Sequence, residues 1–396
     1  MKILHISNDF CLTKVHSMLY QELDRMGVEQ TVFNPVRDAA HVGRNRFEGQ
    51  HTDIIYAHVV KPWHKFAYHL KRRHVYNEML KRIRPQEYSL AHATTLLTEI
   101  GRASCRDGGL AYRLYKQYGI PYIVAVRSTD VNEFLKFMPH TWMAARKILL
   151  NAKKIVFINK GLRDDLVRHP AICGIASEIE DRFLLMPNGI NDYYLDNVSH
   201  WQGIGHNIVY VGRFSTRKNV VRLAKAVLKL REQQQFSDCT LTLVGGGRAD
   251  TNEMERMIAE HTEVFRFVET ITEPSKMCEV FANAKLFAMP SLHETFGLVY
   301  IEALTQNLPV LYTKGQGIDG LLPPSAGIAV NPYSIDDIAN GLATLLISKN
   351  AGNQEVDFEQ FRWNKIAKKY KEIYHNYLSP KRPNDQFLND QTTHEH

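Results

Sequence analysis

Short apolar runs alternate with longer amphipathic stretches along this chain, and the alternation runs twice. In the first run, residues 3–6, 53–57, 122–126 and 154–158 read as strands. Helical stretches at 16–26 and 109–118 lie between them, and Gly27 and Gly119 fall where helices stop. The second run places strands at 207–211, 240–244, 264–268, 286–289 and 309–312. Helices at 219–233, 253–261, 275–284 and 297–305 separate them, and 334–347 and 364–377 complete the helical set. Such alternation predicts parallel sheets covered by helices. Two runs predict two Rossmann-like, doubly wound α/β domains facing each other across a cleft. A length of 396 residues accommodates both.

The polar, turn-rich stretch 192–206 separates the runs. The expected division is 1–195, 196–362, a closing helix 363–378 that returns to the N-terminal domain, and a disordered tail 379–396. Hydrophobic residues make up 44% and charged residues 23%, which excludes a mostly disordered chain and a polytopic membrane protein. The five cysteines are odd in number and none forms a C-x-x-C pair. That argues against a disulfide framework or a zinc site and for a reducing cytosol. The start MKILHISNDF carries no signal-peptide core, and no apolar run reaches the length of a membrane span. The expected location is therefore cytoplasmic, with peripheral association at the inner face of the membrane.

Charge is uneven. Residues 1–200 hold 28 Lys and Arg against 20 Asp and Glu; residues 201–396 hold 21 against 22. Residues 61–87 concentrate Lys61, Lys65, Lys71, Arg72, Arg73, Lys81, Arg82 and Arg84 around Trp63, Phe66, Tyr68 and Tyr76. Such a mixture suits an anionic lipid surface or a phosphorylated substrate. A solvated helix face is the simpler reading of this stretch taken alone. No RNA-binding motif accompanies it, so nucleic acid is not an expected partner.

Two strand ends carry the chemistry. In VGRFSTRKN (211–219), Gly212 permits a tight turn and Arg213 and Lys218 follow. Two cations at a strand-to-helix connection suit a diphosphate and neutralise developing negative charge without a metal ion. A basic loop capping a helix is the competing reading. In PSLHETFGLVYIEAL (290–304), Glu294 sits in a loop, and Thr295, Phe296, Gly297 and Leu298 lead into a helix whose first N–H groups suit a phosphate. Glu302 lies eight residues beyond Glu294, so the two carboxylates do not share a helix face. One suits a sugar and the other a ribose. The alternative is a dipole charge and an exposed helix residue.

Together these residues resemble the donor domain of GT-B-fold glycosyltransferases, in the retaining group called glycosyltransferase family 4. The Glu-x7-Glu segment is Glu294 to Glu302, the diphosphate pair is Arg213 and Lys218, and an NGI segment appears as Asn188-Gly189-Ile190. The resemblance implies that residues 1–195 bind the acceptor and 196–362 a nucleoside-diphosphate sugar. It implies that Glu294 contacts the donor sugar, Glu302 the ribose, and the amides around Phe296–Leu298 the phosphates. No cofactor or bound metal is implied. The N-terminal half departs from the family. The loop after the first strand, SNDFCLTKVHS, lacks the usual glycines, leaving Asn8, Asp9 or Lys14 to take over their work. The His-Gly-x-Asp segment becomes Arg127-Ser128-Thr129-Asp130; Asp130 matches, Arg127 replaces the His, and both are expected in the catalytic group with Glu294. Arginine cannot act as a base, its pKa lying above roughly 12, but it can bind an anion. His92 and Asn159, beside strand-like segments, are further acceptor-side candidates, with a satisfied structural histidine the competing reading for His92. LVGGGRAD (243–250) matches a dinucleotide loop only in part.

The expected activity is retaining transfer of a hexosyl unit from a nucleoside-diphosphate sugar to a saccharide or polyprenyl-diphosphate-linked acceptor, in envelope polysaccharide or glycan biosynthesis. The alternatives are a nucleotide-sugar epimerase of similar shape, or a basic membrane-associated binding protein without catalysis.

Overall fold

The structure is a computed structural model. It describes residues 1–36, 38–58, 68–97, 107–200, 203, 205–246, 251–348, 352–353 and 355–377. The chain divides into two compact units. The first comprises Met1–Phe157, Leu166–Leu184 and the described residues from Ala367 on; the second comprises Ile158–Asp165 and Leu185–Ile366. The last helix, Trp363–Asn376, thus contributes its first residues to the second unit and the remainder to the first.

The first unit is built on β1 (Lys2–Ile6), β2 (Glu29–Val36), β3 (Thr52–His58), β4 (Leu90–Ala93), β5 (Tyr122–Val126), β6 (Lys154–Phe157) and β7 (Phe183–Leu185). Their order across the sheet is β3-β2-β1-β4-β5-β6-β7, parallel from β3 to β6. The second is built on β8 (Asn207–Arg213), β9 (Thr240–Gly246), β10 (Phe265–Val268), β11 (Leu286–Ala288), β12 (Val310–Thr313) and β13 (Gly327–Val330), in the order β10-β9-β8-β11-β12-β13, all parallel. Central strands such as Tyr122–Val126 are apolar and buried along their whole length, as strands covered on both faces are. This is the doubly wound architecture of the GT-B fold.

Four strands, β2, β4, β7 and β13, lie where the apolar pattern does not announce them. In β2 the side-chain amide nitrogens of Gln30 and Asn34 find distant partners. Gln30 donates to the Tyr20 carbonyl (2.7 Å) and to Thr52 Oγ1 (2.8 Å), and Asn34 to the Ser7 carbonyl (2.6 Å). His92 does not follow a strand; it lies inside β4, buried, with Nδ1 2.8 Å from the Tyr374 hydroxyl. Burial holds its imidazole well below the ordinary range.

Much of the basic stretch 61–87, half of the segment 243–250, Cys105 and the tail 379–396 lie outside the described residues or side chains. Within the described part, Lys81 and Arg82 both pair with Glu78, and Arg84 with Glu87 at 3.8 Å. Among the described residues no helix is long and apolar enough to cross a membrane.

Candidate active site

In the second sheet the strand order reverses between β8 and β11. Open parallel sheets bind ligands outside the carboxyl ends of the strands at such a reversal. The loops leaving β8 and β11 are stitched together there. After β8, a one-turn 3-10 helix Thr216–Lys218 follows Ser215, and Asn219 adopts the left-handed conformation at φ 61°. The Asn219 amide donates to the Pro290 and Pro332 carbonyls at 2.9 and 2.7 Å. Arg217 Nε donates to the His293 carbonyl (3.0 Å), and the Leu292 N–H to the Arg217 carbonyl (2.8 Å).

That stitching aims Lys218 at Glu294. Lys218 Nζ lies 2.6 Å from Glu294 Oε2, with side chains 26% and 9% exposed. Ser291 Oγ also approaches Oε2, at 3.5 Å, and the Thr295 N–H donates to Oε1 at 3.1 Å. Gln316, just beyond β12, fixes the loop from behind: its Oε1 accepts the Glu294 N–H (2.8 Å) and its Nε2 donates to the Leu292 carbonyl (3.1 Å). Two buried phenols record the carboxylate. Burial first, and the Glu294 charge second, raise the Tyr210 and Tyr300 hydroxyls above their ordinary range.

Gly297 starts the helix Leu298–Thr305 in the left-handed conformation, φ 78°, and no side chain caps this end. A Cβ there would lie 2.5 Å from Tyr300 Cδ2. The Tyr300 hydroxyl in turn donates to the Met289 carbonyl, fixing the helix start against β11. An uncapped helix start beside a lysine is an anion-binding arrangement. Arg213 ends β8 with an exposed guanidinium that makes no hydrogen bond among the described residues. Gly212 lies against its neighbour strand: a Cβ on Gly245 would overlap the Gly212 carbonyl.

Other sequence candidates occupy different places. Glu302 is partly buried in the helix Leu298–Thr305, and its charge is felt by Tyr194 and Cys278. Burial pushes its carboxyl up to about 7. Asn159 belongs to the second unit, where its amide donates to the Thr295 carbonyl (2.7 Å) and its Oδ1 accepts the Leu162 N–H (2.8 Å). It therefore buttresses the Glu294 loop. Phe296 packs near Phe361, ring centroids 6.3 Å apart. The Asn188-Gly189-Ile190 segment is held by the Ile190 N–H on the Phe361 carbonyl and by Gly189 against the Trp363 ring.

In the first unit, Asp130 is wholly buried. Its carboxylate accepts the N–H groups of Leu96 (3.1 Å), Leu97 (2.6 Å) and Arg127 (2.8 Å). It is a positioning residue. Arg127 Nε donates to the Thr94 carbonyl at 2.9 Å. Lys14 is exposed in the first turn of the helix Lys14–Arg25. Sequence reasoning passed over Gln316, Asn219 and Ser291. Position just past a strand end was the one available signal for them. Among the described residues, no three His, Cys, Asp or Glu side chains gather in a metal-binding group.

Residues 202–370 match the family of glycosyl transferases group 1. An uncharacterized glycosyltransferase of Methanocaldococcus jannaschii is 23% identical over 283 residues, 64% of this chain and 69% of that relative. Among solved structures, the sucrose-phosphate synthase of Thermosynechococcus elongatus superposes with a TM-score of 0.69 at 19% identity, covering 95% of this chain and 98% of that one. Anabaena HepE in complex with UDP and glucose superposes with a TM-score of 0.66 at 15% identity, covering 95% and 100%. The domain match and the two-sheet fold together support a GT-B glycosyltransferase.

Proposed function

We propose that this chain is a retaining, metal-independent transferase of the glycosyltransferase family 4 type. It moves a hexosyl unit from a nucleoside-diphosphate sugar to a saccharide or lipid-linked saccharide acceptor. The observation that carries this reading is the Lys218–Glu294 pair, closed at the strand-order reversal beside the uncapped helix start at Gly297. A leaving diphosphate gains negative charge as the glycosidic C–O bond breaks. The Lys218 ammonium, the Arg213 guanidinium and the helix N–H groups are the donors that would meet that charge, which is why no metal is invoked. Glu294 accepts hydroxyls of the donor sugar, and Glu302 accepts from the ribose. The acceptor oxygen bonds to the anomeric carbon on the face the phosphate leaves, and its proton passes to the departing phosphate oxygen. A uridine-diphosphate donor is consistent with the ligands of HepE. Docking on an anionic membrane would rest on the part of 61–87 outside the Glu78 and Glu87 pairs.

The test is thermal unfolding with EDTA present, against UDP, GDP, ADP and their sugar conjugates. A ligand at 100 times its dissociation constant stabilises by about 2.7 kcal/mol. One nucleoside diphosphate is expected to stabilise the protein without metal. No shift from any of them, or a shift only after adding divalent cation, refutes the proposed site. Product anomers read by NMR then decide retention against inversion.

A further inference from the structure

The first sheet also reverses its order, between β1 and β4. The loops beyond the carboxyl ends of β1, β4 and β5 bring together Asp9, Thr94 and Arg127, a group for which donor binding by the second unit has no use. Asp9 Oδ1 faces His16 Nε2 at 3.1 Å and accepts from Thr94 Oγ1 at 3.3 Å. Its Oδ2 takes no hydrogen bond among the described residues, and the side chain is 25% exposed. Burial pushes this carboxyl up, but His16 and then Arg127 outweigh it and hold it down to about 2, so Asp9 is charged.

Arg127 is anchored twice. Its N–H is held by Asp130 Oδ2, and its Nε by the Thr94 carbonyl. Asp130 binds the Leu96 and Leu97 amides as well, so the turn after β4 and the turn after β5 move as one piece. Fixing Nε fixes the guanidinium plane. Both terminal nitrogens are then left without a partner among the described residues, on a half-buried side chain. Asp107, which accepts from the Asn8 N–H and the Thr94 and Thr95 hydroxyls, adds no second charge to this edge: burial first, and the Asp9 charge second, raise its carboxyl well above the ordinary range. Burial likewise keeps His92 neutral. The edge therefore offers a rigid planar fork of donors and, beside it, a charged carboxylate with one oxygen unfilled. A guanidinium fork matches a carboxylate or phosphate in a way a lysine does not. A carboxylate matches a sugar hydroxyl.

We propose that Arg127 and Asp9 make this edge a reader of acidic sugars, Arg127 taking a carboxylate or phosphate ester and Asp9 a hydroxyl of the same molecule. This rests on the transferase reading, for it names the substrate class of the first unit. It also gives the arginine that stands in the family's histidine position a function in specificity in place of base chemistry.

The experiment is binding by the full chain of glucuronate, glucose 6-phosphate, glucose and inorganic phosphate, followed by saturation-transfer NMR and calorimetry. At least one acidic sugar is expected to bind about tenfold or more tightly than glucose, the scale of one charge-assisted bidentate contact. R127Q removes the preference and R127K retains part of it, each variant keeping a cooperative unfolding transition. D9N weakens the sugars but not phosphate alone. Whether glucuronate or glucose 6-phosphate wins identifies the acidic group. Equal affinity for acidic and neutral sugars, including none for either, overturns the proposal. So does a preference that survives R127Q, or inorganic phosphate binding as tightly as both acidic sugars. Nucleoside diphosphates run alongside separate the two ideas: their failure to bind wild type refutes the donor site while leaving an acidic-sugar preference standing.

Discussion

Glu302→Gln should stabilise the protein in neutral and alkaline solution while weakening its hold on a nucleotide. The carboxyl sits partly buried in the helix Leu298–Thr305 and is pushed up to about 7 from an ordinary 4.5 by burial. A raised carboxyl pKa means that the folded protein prefers the neutral form. Below about 4.5 the group is protonated folded or unfolded and has no effect on stability. Between about 4.5 and about 7 the unfolded chain ionises first, so stability falls as pH rises; above about 7 the whole cost remains. A shift of that size corresponds to roughly 3 kcal/mol, and partial exposure reduces it to about 1–3 kcal/mol. Glutamine keeps the shape and removes the charge. Its transition for the second unit should rise by roughly 2–12 °C at pH 8, at about 2–4 °C per kcal/mol, and by little at pH 4.5. Scanning calorimetry at both pH values measures this. In the transferase reading ribose hydroxyls donate to the ionised form, so wild-type affinity for the nucleotide should fall below about pH 7 and the variant should lose that dependence. A variant no more stable than wild type at pH 8, or equally stabilised at both pH values, would refute the burial argument. Unchanged nucleotide affinity would refute the ribose contact separately.

Glu294→Gln leaves the Lys218 contact sterically intact and should lower turnover by about 100-fold or more with the fold retained; wild-type rates would sink its assigned role. Lys218→Ala should weaken nucleoside-diphosphate binding by about 1–3 kcal/mol, read by calorimetry, and unchanged affinity would place the diphosphate elsewhere. Asp130→Asn turns an acceptor of three N–H groups partly into a donor. It should cost about 2–4 kcal/mol of stability in urea unfolding; a cost near zero would contradict the anchoring described for it. Gly297→Ala forces a left-handed residue against the Tyr300 ring and should cost about 2–3 kcal/mol, with turnover falling alongside; unchanged stability and rate would mean that this helix start is not constrained.

The two-sheet architecture was legible because parallel strands buried on both faces are written as continuous apolar runs, and helices between them as amphipathic ones. Candidate residues at strand ends were legible for the same reason. Once β8 and β11 are located, Lys218 and Glu294 follow as the residues just past them. The polar strand β2 was not legible. Gln30 and Asn34 look like loop residues until Tyr20, Thr52 and Ser7 supply their hydrogen bonds. Asp130 matched a family position, yet only its burial beneath three backbone amides shows that it positions Arg127. Asn159 reads from the sequence as a strand-end candidate, and only the structure shows the Thr295 carbonyl as its partner. Periodicity and backbone chirality act over a few residues, and the chain carries them in plain order. The pairing of Lys218 with Glu294 across 76 residues is different. It exists only when two strand ends are brought side by side, and burial and the need to satisfy polar groups then choose the partners.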